Sequence, residues 1–372
     1  MKLQFYLPTR VQMDRDCVRK NASALKGLGN HALVVTGRHS ARACGALEDV
    51  ETALRENGQE ITLFDRVSAN PTVECVYDGA ALLQKSGADF VIAIGGGSPM
   101  DAGKAIAMVS AENRPEVESF SGHYEKRLPL CCIPTTAGTG SEVTQYSILT
   151  NDKAQTKTSL ASPALFPDLA LLDARYLAAV PEKTMVNTVI DALSHSVEGY
   201  LSAKASPLTD GLALEAIGLI AGNLNGLRKG TLTEEGQEQL LYASTLGGMV
   251  IAHTGTTAVH SMGYSLTYFR HIDHGRANGL LLPYFLKWLS GHSAERVAAV
   301  TAAMGCASLE EVEEIFSALL GEREEMTDEE LERFSHLAIQ AANIKNCAAA
   351  PSREELLDMY HAAFPQKGGA ST

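Results

Sequence analysis

Asp191 and His195 lie four residues apart in a stretch with helical apolar spacing, so both side chains leave one face. Downstream, four of the eleven histidines crowd into 22 residues: His253, His260, His271 and His274. A carboxylate and several neutral imidazoles are the donors that Zn2+ or Fe2+ takes. The set therefore reads as a candidate metal centre. Spacing leaves open which of the four histidines join the pair, and an Asp–His pair at this interval also occurs as an ordinary core or solvated pair.

A second kind of chemistry is written in glycine. Gly95, Gly96, Gly97 and Ser98 follow an apolar run directly and open a helical pattern. Such a turn lets backbone N–H groups approach a phosphate at the positive end of a helix dipole. Ser98 is expected as the N-cap, Pro99 at the first helical position and Asp101 as a capping-box acid. The spacing is neither G-x-G-x-x-G nor a Walker A sequence. A second stretch, Pro134 to Glu142, carries Thr135, Thr136, Gly138, Thr139, Gly140 and Ser141, hydroxyls and glycines suited to phosphate, ribose or amide. Two such loops, each after an expected strand, favour a nucleotide at the C-terminal edge of a sheet.

Strands and helices must position these residues. His31–Gly37, Glu60–Asp65 and Asp89–Gly95 read as short buried parallel strands, with helical spacing over Arg42–Asn57 and Thr72–Ser86 between them. That alternation signals a doubly wound α/β sheet. Leu130–Pro134, Gln145–Leu149, Thr156–Leu160 and Leu169–Leu172 read as further strands. After Pro181 helical patterns dominate, over about 183–202, 208–228, 234–254, 275–290, 293–304, 309–320, 328–342 and 352–363. Two domains are expected: α/β over 1–180 and all-α over 181–372, with a frayed tail at Lys367–Thr372.

Composition narrows the partners. The 372 residues carry a net charge of −13, which argues against general binding to nucleic acid or anionic membrane. No run approaches the roughly 20 apolar residues of a membrane helix, and Met1–Arg10 shows no signal-peptide pattern. Seven cysteines without a C-x-x-C suit a reducing cytoplasm. The charge is uneven: residues 1–180 hold 18 bases and 20 acids, whereas 310–332 alone hold eleven acids and one base, Arg323. That segment is remote in sequence from the histidines and reads as a solvated face.

Together, GGGSPMDAGKAIA (95–107), PTTAGTGSEVT (134–144), DALSHSVEGY (191–200) and HSMGYSLTYFRHIDHGRANGLLLP (260–283) resemble the iron-containing, group III alcohol dehydrogenase family. The resemblance implies a Rossmann-like N-terminal domain, a helical C-terminal domain in the dehydroquinate synthase-like arrangement, and a cleft holding NAD(P) and a divalent metal. It implies Asp191, His195, His260 and His274 as ligands of Fe2+ or Zn2+. By the same likeness Gly96, Gly97 and Ser98 would carry the cofactor diphosphate, with Gly95 also at the cofactor and Asp101 near the nicotinamide. Thr135, Thr136, Thr139 and Ser141 would line the adenosine and ribose, with Lys157 near the cofactor. His253 is then a buried structural residue, and His271 lies near the site mouth. A homodimer or larger homo-oligomer is implied.

The chain departs from the family at two places. Many members have a histidine four residues after the third ligand; here Tyr264 takes that place, near the nicotinamide. Several NAD-using members have an acid where this chain has Gly37. The stretch Gly37, Arg38, His39, Ser40 offers donors instead, so NADP is expected over NAD. The reaction implied is hydride transfer between a short primary alcohol or diol and the nicotinamide, with the metal as Lewis acid. The rival readings are a zinc glycerol or polyol dehydrogenase of the same fold, a dehydroquinate synthase-like lyase, and a non-enzymatic metal or nucleotide sensor. The lyase should need more bases than Arg270, Arg276 and Lys287 between 250 and 290.

Overall fold

A computed structural model describes residues 3–112, 124–152 and 156–364, so the expected frayed tail lies outside the described residues. The chain divides into two compact units, Tyr6–Pro181, and Met1–Phe5 with Glu182–Thr372. Phe5 groups with the helical unit because its ring lies flat on His253, centroids 4.0 Å apart.

The first unit is built on strands β1 (Arg10–Met13), β2 (His31–Gly37), β3 (Glu60–Val67), β4 (Phe90–Gly95), β5 (Leu130–Pro134) and β8 (Leu169–Leu172). They form one parallel sheet in the order β1-β8-β5-β4-β2-β3. The central β4 and β5 are buried along their whole length, which is why they read as unbroken apolar runs. Strands β6 (Tyr146–Asn151) and β7 (Thr156–Ala161) stand apart as an antiparallel hairpin.

The helices of this unit are α1 (Cys17–Lys20), α2 (Ala22–Lys26), α3 (Ser40–Ala43), α4 (Ala46–Asn57), α5 (Val73–Ser86) and α6 (Gly97–Glu112). The single helix expected over 42–57 is two, because Gly45 between them takes φ 83°, a left-handed turn that apolar spacing conceals. β1 escapes a sequence reading since RVQM has no apolar run, and it pairs only with β8 at the sheet edge. The capping expected at 98–101 is also corrected. α6 starts at Gly97; the Ser98 hydroxyl instead accepts from the Asn70 N–H at 3.2 Å, and Asp101 is engaged elsewhere.

The second unit comprises α7 (Glu182–Tyr200), α8 (Pro207–Arg228), α9 (Glu234–Thr254), α10 (Ala258–Arg270), α11 (His274–Ser290), α12 (Ala294–Ala303), α13 (Leu309–Leu320), α14 (Asp328–Gln340) and α15 (Arg353–Ala363). Helix α10 was not among those expected. Its sequence, AVHSMGYSLTYFR, interrupts the apolar stripe with Ser, Gly and Thr that face other helices rather than water. His271, at φ 54°, closes α10, and Asp273, just before α11, accepts from Asn187 Nδ2 on α7 at 2.7 Å. Among the described residues no helix is long and apolar enough to cross a membrane.

Helices α7 and α11 cross at glycine. A Cβ on Gly275 would overlap the Asn187 carbonyl oxygen, and one on Gly279 would stand 2.6 Å from Ile190 Cγ2. No rotamer relieves a clash with backbone. Gly275→Ala is therefore expected to cost about 1–3 kcal/mol, the range for overpacking a tight contact. Urea unfolding checks this, and wild-type stability would contradict it.

Candidate active site

Asp191 and His195 are one turn apart on α7, His260 lies on α10, and His274 opens α11. The Nε2 atoms of the three histidines stand 3.9, 3.7 and 3.8 Å from one oxygen, Asp191 Oδ1. These separations exceed a hydrogen bond. Four atoms each about 2.1 Å from a shared tetrahedral ion would stand about 3.4 Å apart, and these three separations lie within about half an ångström of that. Asp191, His195 and His260 are buried, with potential ligand atoms within 4.8 Å of one another; His274 is half-buried at the rim. The donor chemistry and the spacing fit a divalent ion. Burial alone would raise the Asp191 pKa, but the three imidazoles and the Asn278 amide outweigh it and hold the carboxyl below its usual range.

Sequence reasoning missed two neighbours. Glu198 is fully buried on α7 and its Oε2 meets His260 Nδ1. It continues the stripe of Asp191 and His195 at the next turn, a signal available in DALSHSVEGY. Asn278, one turn after His274, donates from Nδ2 to Asp191 Oδ1 at 3.0 Å and lies 3.2 Å from His260 Nε2. Its position is also marked by spacing, four residues along one helix face.

The Tyr264 ring lies nearly parallel to His274, centroids 5.9 Å apart, and its hydroxyl accepts from Asn343 Nδ2 at 3.2 Å. Burial raises the pKa of this phenol, so it stays protonated at neutral pH. His253 is only half-buried, against Phe5, and His271 is exposed. Neither joins the cluster.

The acidic segment is not remote in space. Glu324 takes Arg276 Nε at 2.7 Å, while the same guanidinium donates to the Leu320 and Glu322 carbonyls. Glu330 takes Arg270 Nη1 at 2.7 Å, and the Glu325 carbonyl takes its Nη2. These two arginines flank the turn that carries His274. Part of the segment thus anchors that turn, a correction to its reading as a solvated face.

In the first unit the two glycine loops pack on each other at the ends of β4 and β5. A Cβ on Gly97 would stand 2.6 Å from Thr139 Cγ2, and one on Gly96 would stand 3.0 Å from Thr136 Oγ1. Gly95 takes φ 150°. Thr135 is buried beside them. Lys157 Nζ donates to Asn70 Oδ1 at 2.9 Å, and the Asn70 N–H donates to Ser98, so Asn70, unnoticed in the sequence, links the β6–β7 hairpin to the start of α6. Gly37 ends β2, and Arg38 and Ser40 are exposed just beyond it.

Asp101 and Ser141 turn inward. Ser141 Oγ donates to Asp101 Oδ1 and accepts from Lys104 Nζ, both at 2.8 Å. The fully buried Lys104 also reaches the Thr144 carbonyl at 2.9 Å and the Tyr146 carbonyl at 2.8 Å. Burial lowers the Lys104 pKa, opposed by Asp101, and burial raises that of Asp101, opposed by Lys104. This network latches 141–148 to α6.

Comparison with known proteins matches both units. Residues 8–174 match the family model described as iron-containing alcohol dehydrogenase, and residues 185–364 match that of the Fe-containing alcohol dehydrogenase family, C-terminal. The chain is 34% identical over 304 residues to an NADPH-dependent butanol dehydrogenase of Clostridium saccharobutylicum, covering 80% of this chain and 77% of that one. It is 33% identical over 355 residues to a lactaldehyde reductase of Escherichia coli (strain K12), covering 90% and 92%. The crystal structure of an iron-containing alcohol dehydrogenase from Thermotoga maritima superposes with a TM-score of 0.90 at 37% identity, covering 97% and 99%.

The Lys104 latch makes a stability prediction. Lys104→Met removes the ammonium and leaves the Ser141, Thr144 and Tyr146 acceptors buried and unmet. A loss of about 2–4 kcal/mol is expected. Chemical denaturation would show it as a lower midpoint; an unchanged midpoint would contradict the latch.

Proposed function

The chain belongs to the iron-containing alcohol dehydrogenase family, and from that premise we propose that it interconverts a short-chain primary alcohol or diol and its aldehyde, using NADP(H) in preference to NAD(H). The observation that carries the reading is the convergence of three imidazole nitrogens on Asp191 Oδ1 at 3.7–3.9 Å. Asp191, His195, His260 and His274 would hold Fe2+, with Zn2+ as the alternative. When bound, the ion supplies Lewis acidity toward the alcohol or carbonyl oxygen and the nicotinamide supplies the hydride acceptor.

The chain's own residues bind and orient. Gly95, Gly96, Gly97 and Ser98, at the N-terminus of α6, would take the cofactor diphosphate on backbone N–H groups. Thr135, Thr136 and Thr139 would line the adenosine and ribose, and Lys157 would lie near the cofactor. Asp101 and Ser141 act through the Lys104 latch that shapes this loop. Tyr264 Oη, held by Asn343, keeps its proton, so it would fix an oxygen by hydrogen bonding and not remove a proton. Arg38 and Ser40, with no acid at Gly37, would receive a 2′-phosphate. The relative named for NADPH and butanol supports this choice, and the one named for lactaldehyde, a hydroxyaldehyde whose reduction yields a diol, supports a small hydroxylated substrate.

An anionic lyase substrate fits poorly, since Arg270 and Arg276 already serve Glu330 and Glu324. The free thiols of all seven cysteines support a reducing, cytoplasmic setting.

A panel of primary alcohols with NADP+ and NAD+, followed at the reduced-nicotinamide absorbance, tests the reading. Steady turnover is expected, with kcat/KM favouring NADP+ by about tenfold or more, the worth of one charge-assisted contact. Equal or better efficiency with NAD+ would overturn the coenzyme assignment. His260→Ala should lose bound metal by elemental analysis, and lose turnover, while keeping the wild-type circular dichroism. Near-native turnover without metal would sink the ligand assignment.

A further inference from the structure

We propose that Glu198 is a positioning residue for the metal seat, holding His260 in the tautomer that presents its Nε2 lone pair beside Asp191. The inference rests on the metal reading above and concerns a residue that binds no metal itself. Glu198 is wholly buried. Its Oε1 accepts from the Thr257 N–H at 2.8 Å and the Thr257 hydroxyl at 2.6 Å, and lies 3.4 Å from the His260 N–H. Its Oε2 is left for His260 Nδ1. An ionised carboxylate can only accept, so Nδ1 carries a hydrogen, and in the ring with a single hydrogen the lone pair is then at Nε2. Nε2 is the atom 3.7 Å from Asp191 Oδ1.

The same geometry sets charge. Two buried carboxylates, Asp191 and Glu198, then stand on either side of His260. A divalent ion matches that pair of charges, and the second carboxylate makes the ligating imidazole a better donor.

The surroundings also predict how a near-isosteric replacement fails. In Glu198→Gln the backbone N–H of Thr257 can only donate, so the amide oxygen must face Thr257 and the amide NH2 must face His260 Nδ1. Nδ1 becomes the acceptor, and the ring hydrogen moves to Nε2, into the metal seat. Glu198→Asp keeps the acceptor and the charge and only shortens the reach.

The experiment is a titration of metal-free full-length protein with Zn2+ against a chromophoric chelator, for wild type, E198Q and E198D. Melting temperatures of the metal-free forms are taken in parallel. The expected result is a loss of Zn2+ affinity of about 10–100-fold in E198Q, with a smaller loss in E198D and melting temperatures close to wild type. Wild-type affinity in E198Q would overturn the proposal. So would affinity lost only in step with the metal-free fold in both variants, because Glu198 would then serve the helix scaffold. Wild-type protein that binds no Zn2+ would overturn the metal seat itself, and this role with it.

Discussion

The Asp191 carboxylate stays charged out of water, and the centre of the helical unit is arranged around it. Removing an ion from solvent costs several kcal/mol unless partners replace the water. Here the Asn278 amide donates to it at 3.0 Å, and the Nε2 atoms of His195, His260 and His274 stand 3.7–3.9 Å away, so side chains from three helices gather there. They reach one oxygen only because the helices approach closely. Gly275 lets α11 lie against the Asn187 backbone, and Gly263 leaves room for the Asn278 side chain. Asn187 then ties down Asp273, immediately before His274. Two glycines, two side-chain amides and a helix start thus serve one buried charge.

A second layer of charge holds that arrangement from outside. Arg276 is bound by two carbonyls and by both oxygens of Glu324, and Arg270 by Glu330 and a carbonyl. Exposed ion pairs contribute little stability. What these contribute is geometry, because the arginines sit on either side of the turn from α10 to α11. Glu310, Glu311 and Glu329 remain exposed and solvated. The acidic run therefore has two parts, one anchoring and one in water.

In the α/β unit a buried cation plays the corresponding part. Lys104 gathers two hydroxyls and two carbonyls, and through Ser141 it is linked to Asp101. The loop after β5 is thereby fastened to α6, and the loop threonines pack against Gly96 and Gly97. Phosphate-sized loops of small residues stay in one shape when a network of this kind sits beneath them.

The alternation of apolar runs and helical patterns was enough to place the strands from β2 to β8 and most helices, because buried parallel strands and amphipathic helices carry their periods locally. The helices of α7, α9 and α13 match their expected spans closely. α10 was not legible because its small and polar residues are buried by partners distant in sequence, and β1 because its partly exposed edge residues carry no apolar run. For the site, composition and spacing determined a carboxylate, a set of imidazoles and two glycine loops. Spacing left the four later histidines open and the family resemblance implied His260 and His274; the tertiary structure brings those two, rather than His253 and His271, beside Asp191. Only it decided that Glu198 and Asn278 belong with them, and that Asp101 faces Lys104 and not a helix cap. Periodicity is a property of neighbours along the chain, whereas convergence on one oxygen depends on how closely three helices can cross.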